Sequence, residues 1–157
     1  MSSNDRPVLV AFDGSAESEA AVRTAVALFR GCRLIVVTVW EPGLAAAMTS
    51  AAGVALRSPS GAMAASVSRG ERDHVATMAR AGAELAQQLG AVAEPIAVTD
   101  HADVAGAIAS EADRHEVCAV AIGSRGLGRV RAPLLGSTSQ ALLRRTGRPV
   151  LVVRAPT

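Results

Sequence analysis

Short apolar runs rich in β-branched residues alternate along this chain with longer segments of helical periodicity, and that alternation limits what it can fold into. A continuous apolar run suits a strand buried on both faces, as in a parallel sheet covered by helices. The pattern therefore predicts one α/β domain spanning 1–157, an open five-stranded parallel sheet with helices on both faces and right-handed crossovers. The strands are expected at 8–12, 34–40, 95–99, 117–122 and 149–153.

Several residues predict where the helices begin and how they pack. Ser15 is a good N-cap for the helix that follows the first strand, and Asp100 or Asp103 is expected to cap the third helix. The clearest helical periodicity covers 68–88, with Gly82 on its apolar face. A glycine there lowers helix stability by about 1 kcal/mol relative to alanine. In exchange it allows close packing against the sheet.

The segment 41–67 fits neither pattern well. It is rich in Ala, Ser, Gly and Met and shows weak periodicity. Because so long a connection between ordered elements is unusual, we interpret it as an insertion that is either flexible or partly helical.

Composition excludes several classes of partner. Hydrophobic residues make up 50% of the chain and aromatic residues 2%, so the core must be built from Val, Leu, Ile and Ala. Few aromatic rings remain for stacking on single-stranded nucleic acid. The net charge is +2, and the basic residues are scattered along the chain. We therefore expect no nucleic-acid partner, because no stripe of charge could follow a phosphate backbone.

The ends and the cysteines predict a cytoplasmic protein. The N-terminal residues lack the apolar stretch of a signal peptide, and no window is long and apolar enough to span a membrane. Cys32 and Cys118 each lie beside or within an apolar run, as expected for buried thiols in a reducing compartment. The three histidines lack the spacing of metal ligands, so neither a metal site nor a catalytic residue is predicted.

Three segments are expected to meet at one edge of the predicted sheet. Ligands of open parallel sheets bind beyond the carboxyl ends of the strands, where the strand order reverses. Residues 13–15, 38–40 and the glycine-rich connection 123–136 all follow predicted strands. All 16 basic residues are Arg, and a phosphate loop of the Gly-Lys-Ser/Thr type requires Lys. Any phosphate must therefore be held by backbone amides, hydroxyls, Arg or a metal ion.

The glycine-rich connection has features of an anion site. Glycines let backbone amides approach a ligand, and the helix beginning at Gly136 offers unpaired amides that favour an anion by about 0.3–1 kcal/mol. Ser137 and Thr138 add hydroxyls that can touch a phosphate or its metal ion, and Arg125 can supply positive charge. Asp13 can accept from a ribose hydroxyl or hold Mg²⁺ through water. On the residues alone, a phosphate site and ordinary turn chemistry remain equal alternatives.

The spacing of the glycines carries a resemblance to a known family. Gly123, two residues, Gly126, nine residues, Gly136 and then Ser137 match the ATP motif of the universal stress proteins. The chain resembles this family, specifically its ATP-binding branch, over essentially its whole length. The flanking runs that also resemble it are 8–15, 119–126, 136–143 and 149–154. Residues 100–103 depart from the family, which often has a glycine and a proline there, and 44–67 is individual to this chain.

The resemblance implies an adenine-nucleotide alpha-hydrolase-like fold with strand order 3-2-1-4-5. It implies ATP as cofactor, alone or with Mg²⁺, and a homodimer formed through the last strand, Val150 to Val153, which would otherwise be an exposed edge. The residues it assigns to the nucleotide are Ala11 and Asp13 beside the adenosine, Val39 at the adenine, Gly123, Arg125 and Gly126 along the phosphate loop, and Gly136, Ser137 and Thr138 at the helix start.

Three functions follow as hypotheses. The first is an ATP-binding stress or signalling switch that is read by a protein partner not identified by the sequence. The second is an enzyme of the adenylyl-transfer or ATP-pyrophosphatase kind, but the sequence lacks the signatures of those enzymes, so at most slow ATP hydrolysis is expected. The third is a dimerisation module whose cleft is empty or takes AMP or cyclic AMP.

Overall fold

The strands form a parallel sheet of order β3-β2-β1-β4-β5. The computed structural model of the chain describes residues 6–40, 61–98, 103–125 and 135–156. Within them the strands are β1 (Val8–Ala11), β2 (Leu34–Val39), β3 (Ala93–Val98), β4 (Ala119–Gly123) and β5 (Val150–Val153). The helices are α1 (Ala16–Leu28), α2 (Gly61–Gln88), α3 (Val104–Arg114) and α4 (Ser137–Arg145). The predicted fold class and strand order are confirmed.

Helices cover both faces of the sheet, so successive side chains of each strand point alternately into two apolar cores. Helices α1 and α2 pack on one face, and α3 and α4 on the other. As predicted, both cores consist mainly of Val, Leu, Ile and Ala. Among the described residues, no helix is both long and apolar enough to cross a bilayer. The core of the first face includes Val10, Val22, Val36 and Ala83, and that of the second includes Leu9, Ile35, Ile108 and Leu142.

Two helix caps predicted from the sequence are present. The Ser15 hydroxyl accepts from the Ser18 amide at 3.2 Å and caps α1. Of the two candidates for α3, Asp103 is the cap, because its carboxylate accepts from the Gly106 amide at 3.1 Å. Asp100 lies outside the described residues. Each cap satisfies a backbone amide that the helix itself leaves unpaired.

Two elements begin earlier than their sequence patterns indicate. Helix α2 begins at Gly61 rather than 68, so the part of the proposed insertion that the structure describes, 61–67, is helical. Strand β3 begins at Ala93 rather than Pro95. Proline is tolerated there because β3 is an edge strand, where a missing amide hydrogen need not disrupt a ladder.

The close packing predicted for Gly82 is confirmed. A Cβ atom added at this position would lie 2.7 Å from the Phe12 ring and 2.8 Å from a methyl of Val36. Both neighbours are buried, Phe12 just beyond the end of β1 and Val36 within β2. Glycine therefore lets the backbone of α2 lie directly on the sheet.

Candidate functional site

Residues 13–15, 38–40 and the described ends of the glycine-rich connection, 123–125 and 135–136, lie at the carboxyl edge of the sheet, where the three segments are expected to meet. Strands β1 and β4 are hydrogen-bonded neighbours at its centre. Helix α1 follows β1 on one face, whereas α4 follows β4 on the other. The chain thus leaves two adjacent strands in opposite directions, which opens a crevice between their ends.

Half-buried apolar side chains form one wall of this edge. Ala11 ends β1 and Val39 ends β2, and both pack on the face covered by α3 and α4. Val39 is paired with Val98, which ends β3 and lies on the same face. An apolar wall of this kind, partly open to solvent, suits the flat face of a heterocycle.

The turn after β1 is fixed by its own hydrogen bonds. Gly14 has a positive φ of 78°, a conformation that favours glycine. The Ser15 amide donates to Asp13 Oδ1 at 3.0 Å, and the Thr38 hydroxyl donates to the Phe12 carbonyl at 2.8 Å. Asp13 is therefore held half-buried at the crevice, with one carboxylate oxygen used by the turn.

Backbone hydrogen bonds bring the start of α4 onto the end of β4. The Gly136 amide donates to the Ser124 carbonyl at 2.7 Å, and the Ser124 amide donates to the Val153 carbonyl at 2.6 Å. The buried Ser139 hydroxyl donates to the Gly123 carbonyl at 2.8 Å. Gly123 and Gly136, the outer glycines of the motif, consequently lie at one place in the fold.

The amino end of α4 has no side-chain cap among the described residues. Its N-cap is Gly136, which provides no side-chain cap hydrogen bond. The first backbone amide bonded to Gly136 is that of Gln140. The amides of Ser137, Thr138 and Ser139 precede it and have no acceptor within the helix. Ser137 is exposed and Thr138 half-buried, so their hydroxyls lie beside these amides at the positive end of the helix dipole.

Ser124 adds a hydroxyl that sequence reasoning did not single out. The residue is 3% exposed, and within the described part of the chain its Oγ has no hydrogen-bond partner. A buried hydroxyl left unpaired costs about 1–3 kcal/mol, so such a group commonly has a ligand, water or ion to bind. The sequence feature that could have identified Ser124 is its position between the first two glycines of the motif.

Glu17 also belongs to this edge, although the sequence analysis did not assign it to the site. A Cβ at Gly123 would lie 2.8 Å from Glu17 Cβ and 2.9 Å from the Glu17 carbonyl carbon. The first motif glycine therefore lets the first turn of α1 pack on the end of β4. The Glu17 carboxylate then forms an ion pair with Arg125 at 3.5 Å.

Most of the residues predicted for the site come together at this edge. Gly126 lies outside the described residues, so its place in the site stays a prediction. Among the described residues there is no group of three or more His, Cys, Asp and Glu side chains able to hold a metal ion. The predicted site residues at the carboxyl edge are Ala11, Asp13, Val39, Gly123, Arg125, Gly136, Ser137 and Thr138.

A separate groove of about 520 Å³ lies at the opposite edge of the sheet. Its lining includes Phe29 and Cys32, which precede β2, and Leu89 and Ala91, which precede β3. Nearby, burial raises the pKa of the Cys118 thiol, and Cys32 adds to that rise. A raised pKa disfavours the reactive thiolate, which supports a packing role for Cys118.

Comparisons with known proteins give one family and one fold. A family model described as the universal stress protein family matches residues 5–154. No curated protein matches the sequence.

Several solved structures share the fold. The hypothetical protein MJ0577 aligns with a TM-score of 0.74 at 17% identity and covers 97% of each chain. The universal stress protein from Archaeoglobus fulgidus in complex with dAMP has a TM-score of 0.65 at 19% identity, covering 94% of this chain and 97% of that one. A universal stress protein in complex with cAMP has a TM-score of 0.62 at 22% identity, covering 97% and 98%.

Proposed function

The chain belongs to the universal stress protein family, and from that premise we propose that it binds ATP at the carboxyl edge of its sheet and acts as a nucleotide-dependent switch. Binding changes the surface around the site, and a protein partner reads that change in a stress or signalling response. The proposed role is binding rather than catalysis, with at most slow ATP hydrolysis.

One observation carries the proposal: the buried Ser124 hydroxyl has no hydrogen-bond partner among the described residues, and the carbonyl of the same residue accepts from the amide of Gly136, where α4 begins without a side-chain cap. Donors fixed in advance around an anion lose little entropy when it binds. The open amides of α4 and the helix dipole provide the remaining attraction. A phosphate is the ligand that best fits such a set of donors.

The neighbouring apolar wall supports an adenine nucleotide over a simple phosphate. Val39 and Ala11 are half-buried beside the phosphate end, and Asp13 keeps one carboxylate oxygen for a ribose hydroxyl or for water on Mg²⁺. Two related structures contain adenine monophosphates, dAMP in one and cAMP in the other. These ligands make AMP or cyclic AMP the second candidate. A second reason is that the assigned site residues include one arginine, Arg125, to balance the phosphate charge.

Thermal unfolding distinguishes these ligands. ATP at about a hundred times its dissociation constant is expected to stabilise the folded chain by about 2.7 kcal/mol. For a domain of this size that raises Tm by about 5–10 °C. Titrations with ATP, AMP, cyclic AMP and GTP, each with and without Mg²⁺, would identify the preferred ligand. No change in Tm with any of the adenine nucleotides would contradict the proposal.

We also propose that two copies of the chain pair through β5. This strand is at an edge of the sheet, with half-buried apolar side chains. The Pro149 carbonyl accepts from the Val120 amide of β4 at 2.9 Å, and the Val153 carbonyl accepts from the amide of Ser124, just after β4, at 2.6 Å. Because backbone groups alternate in direction along a strand, those of Val150 and Val152 face away from β4 and are available to a second copy.

Removal of one outward amide hydrogen tests this interface. Val152→Pro is expected to shift a dimer to monomer in sedimentation equilibrium, because proline cannot donate across the new edge. Val152→Thr keeps the amide hydrogen and a branched side chain, and it should remain dimeric. A dimer that persists in the proline variant places the interface elsewhere.

A further inference from the structure

We propose that Glu17 is a specificity-determining residue of the nucleotide site. Its negative charge disfavours nucleotides whose phosphate charge is not compensated by a bound cation. This inference rests on the proposed function, since it concerns the ligand of the same site. It assigns a role to a side chain outside the glycine motif, on a different helix.

The position of Glu17 follows from backbone packing. It lies in the first turn of α1, and the absence of a side chain at Gly123 brings its Cβ and carbonyl carbon against the end of β4. Its side chain is 18% exposed, compared with full solvation for a typical surface glutamate. The carboxylate therefore lies near the end of β4 and Arg125.

The partner of this carboxylate is the arginine assigned to the phosphate. Arg125 Nη2 lies 3.5 Å from Glu17 Oε1. Within the described ranges, no other carboxylate is within ion-pair distance of Arg125. Its side chain is 42% exposed, and an ion pair this open to water contributes little to stability. Arg125 can therefore leave the Glu17 carboxylate for a phosphate at a small cost in free energy.

An arriving phosphate competes with Glu17 for the same guanidinium. If Arg125 turns to the phosphate, the carboxylate stays within reach of it, because the packing of α1 on Gly123 fixes the Cβ and the backbone of Glu17. A like charge then lies close to the bound phosphates and repels each further negative charge. Glu17 thus weakens the binding of metal-free ATP more than that of AMP, and a divalent cation on the phosphates reduces the difference.

The test replaces the charge and keeps the shape. Glu17→Gln is expected to tighten metal-free ATP about fivefold and AMP about twofold, measured by titration calorimetry at low salt. The difference should disappear in about 1 M salt, where the screening length falls to about 3 Å. Circular dichroism and thermal unfolding of the variant show whether its fold is intact.

Glu19→Gln is the matched control. Glu19 lies in the same turn of α1 and carries the same charge, but it is exposed and forms no ion pair with Arg125. Its affinities for ATP and AMP should stay within about twofold of wild type, because exposed charges are screened by solvent.

Each other outcome counts against the inference. Weaker binding of Mg²⁺–ATP by Glu17→Gln makes Glu17 a metal ligand instead, and equal changes for ATP and AMP remove its role in selection. If the wild-type protein binds AMP but Glu17→Gln and Glu19→Gln change the nucleotide affinities equally, this inference alone is overturned. Wild-type protein that binds no adenine nucleotide overturns the proposed function as well.

Discussion

The Gly82→Ala variant is expected to be about 2 kcal/mol less stable than wild type, although alanine is the better helix former. The added methyl would lie 2.7 Å from the Phe12 ring and 2.8 Å from Val36. Neither side chain has free space, because both are buried in the same core. Either α2 moves away from the sheet or the ring leaves its preferred rotamer, and both changes lose packing.

Gly70→Ala, in the same helix, is expected to raise the free energy of unfolding instead of lowering it. Apart from the backbone of its own helix and its chain neighbours, no described atom lies within 4 Å of a Cβ at Gly70, which is exposed. Only the helix propensity then changes, so this variant should gain about 0.5–1 kcal/mol.

Chemical denaturation with a shared m-value measures both changes. The expected result is a lower midpoint for the variant at 82 and a higher one for the variant at 70. A higher midpoint for both would mean that α2 does not rest on the sheet as closely as the structure shows.

Gly136→Val is expected to lower affinity for the nucleotide by at least about a hundredfold while the chain remains folded. The backbone φ at Gly136 is −61°, which any residue can adopt, so the change introduces no backbone strain. The new Cβ would lie 3.1 Å from the Ser124 carbonyl oxygen and 3.5 Å from Arg125 Cα. The valine methyls would then occupy the space in front of the open amides of α4.

Gly147→Val tests the other end of the same helix. Gly147 follows α4, and a Cβ there meets no atom of the described residues within 4 Å beyond its chain neighbours. Calorimetry with ATP should show heat for this variant and none for Gly136→Val, while both unfold cooperatively. Unchanged binding by Gly136→Val would move the site away from the start of α4.

Local patterns predicted much of this structure. The apolar runs around Val10 and Val36 were sufficient to place two central strands, because buried parallel strands need no polar face. Ser15 and Gly82 were interpreted correctly because capping and helix packing depend on neighbours close in sequence or on one helix face. The family motif supplied the strand order, which periodicity alone does not contain.

Long-range contacts were not predictable in the same way. Glu17 and Gly123 lie on elements far apart in the chain, and nothing in the residues around either one indicates their contact. The burial of Ser124 likewise depends on how α4 returns to β4. The early start of α2 was missed because its first turns, rich in small residues, carry little apolar periodicity.

The hydrogen bond from the Gly136 amide to the Ser124 carbonyl joins the two ends of the connection between β4 and α4. This contact does not itself depend on how many residues the connection contains. Doubling the length of a closed loop costs about 0.6 kcal/mol of closure entropy. Residues inserted between Arg125 and Gly136 are therefore expected to cost the fold little, and a strict spacing of nine residues between Gly126 and Gly136 would be required by the bound molecule instead.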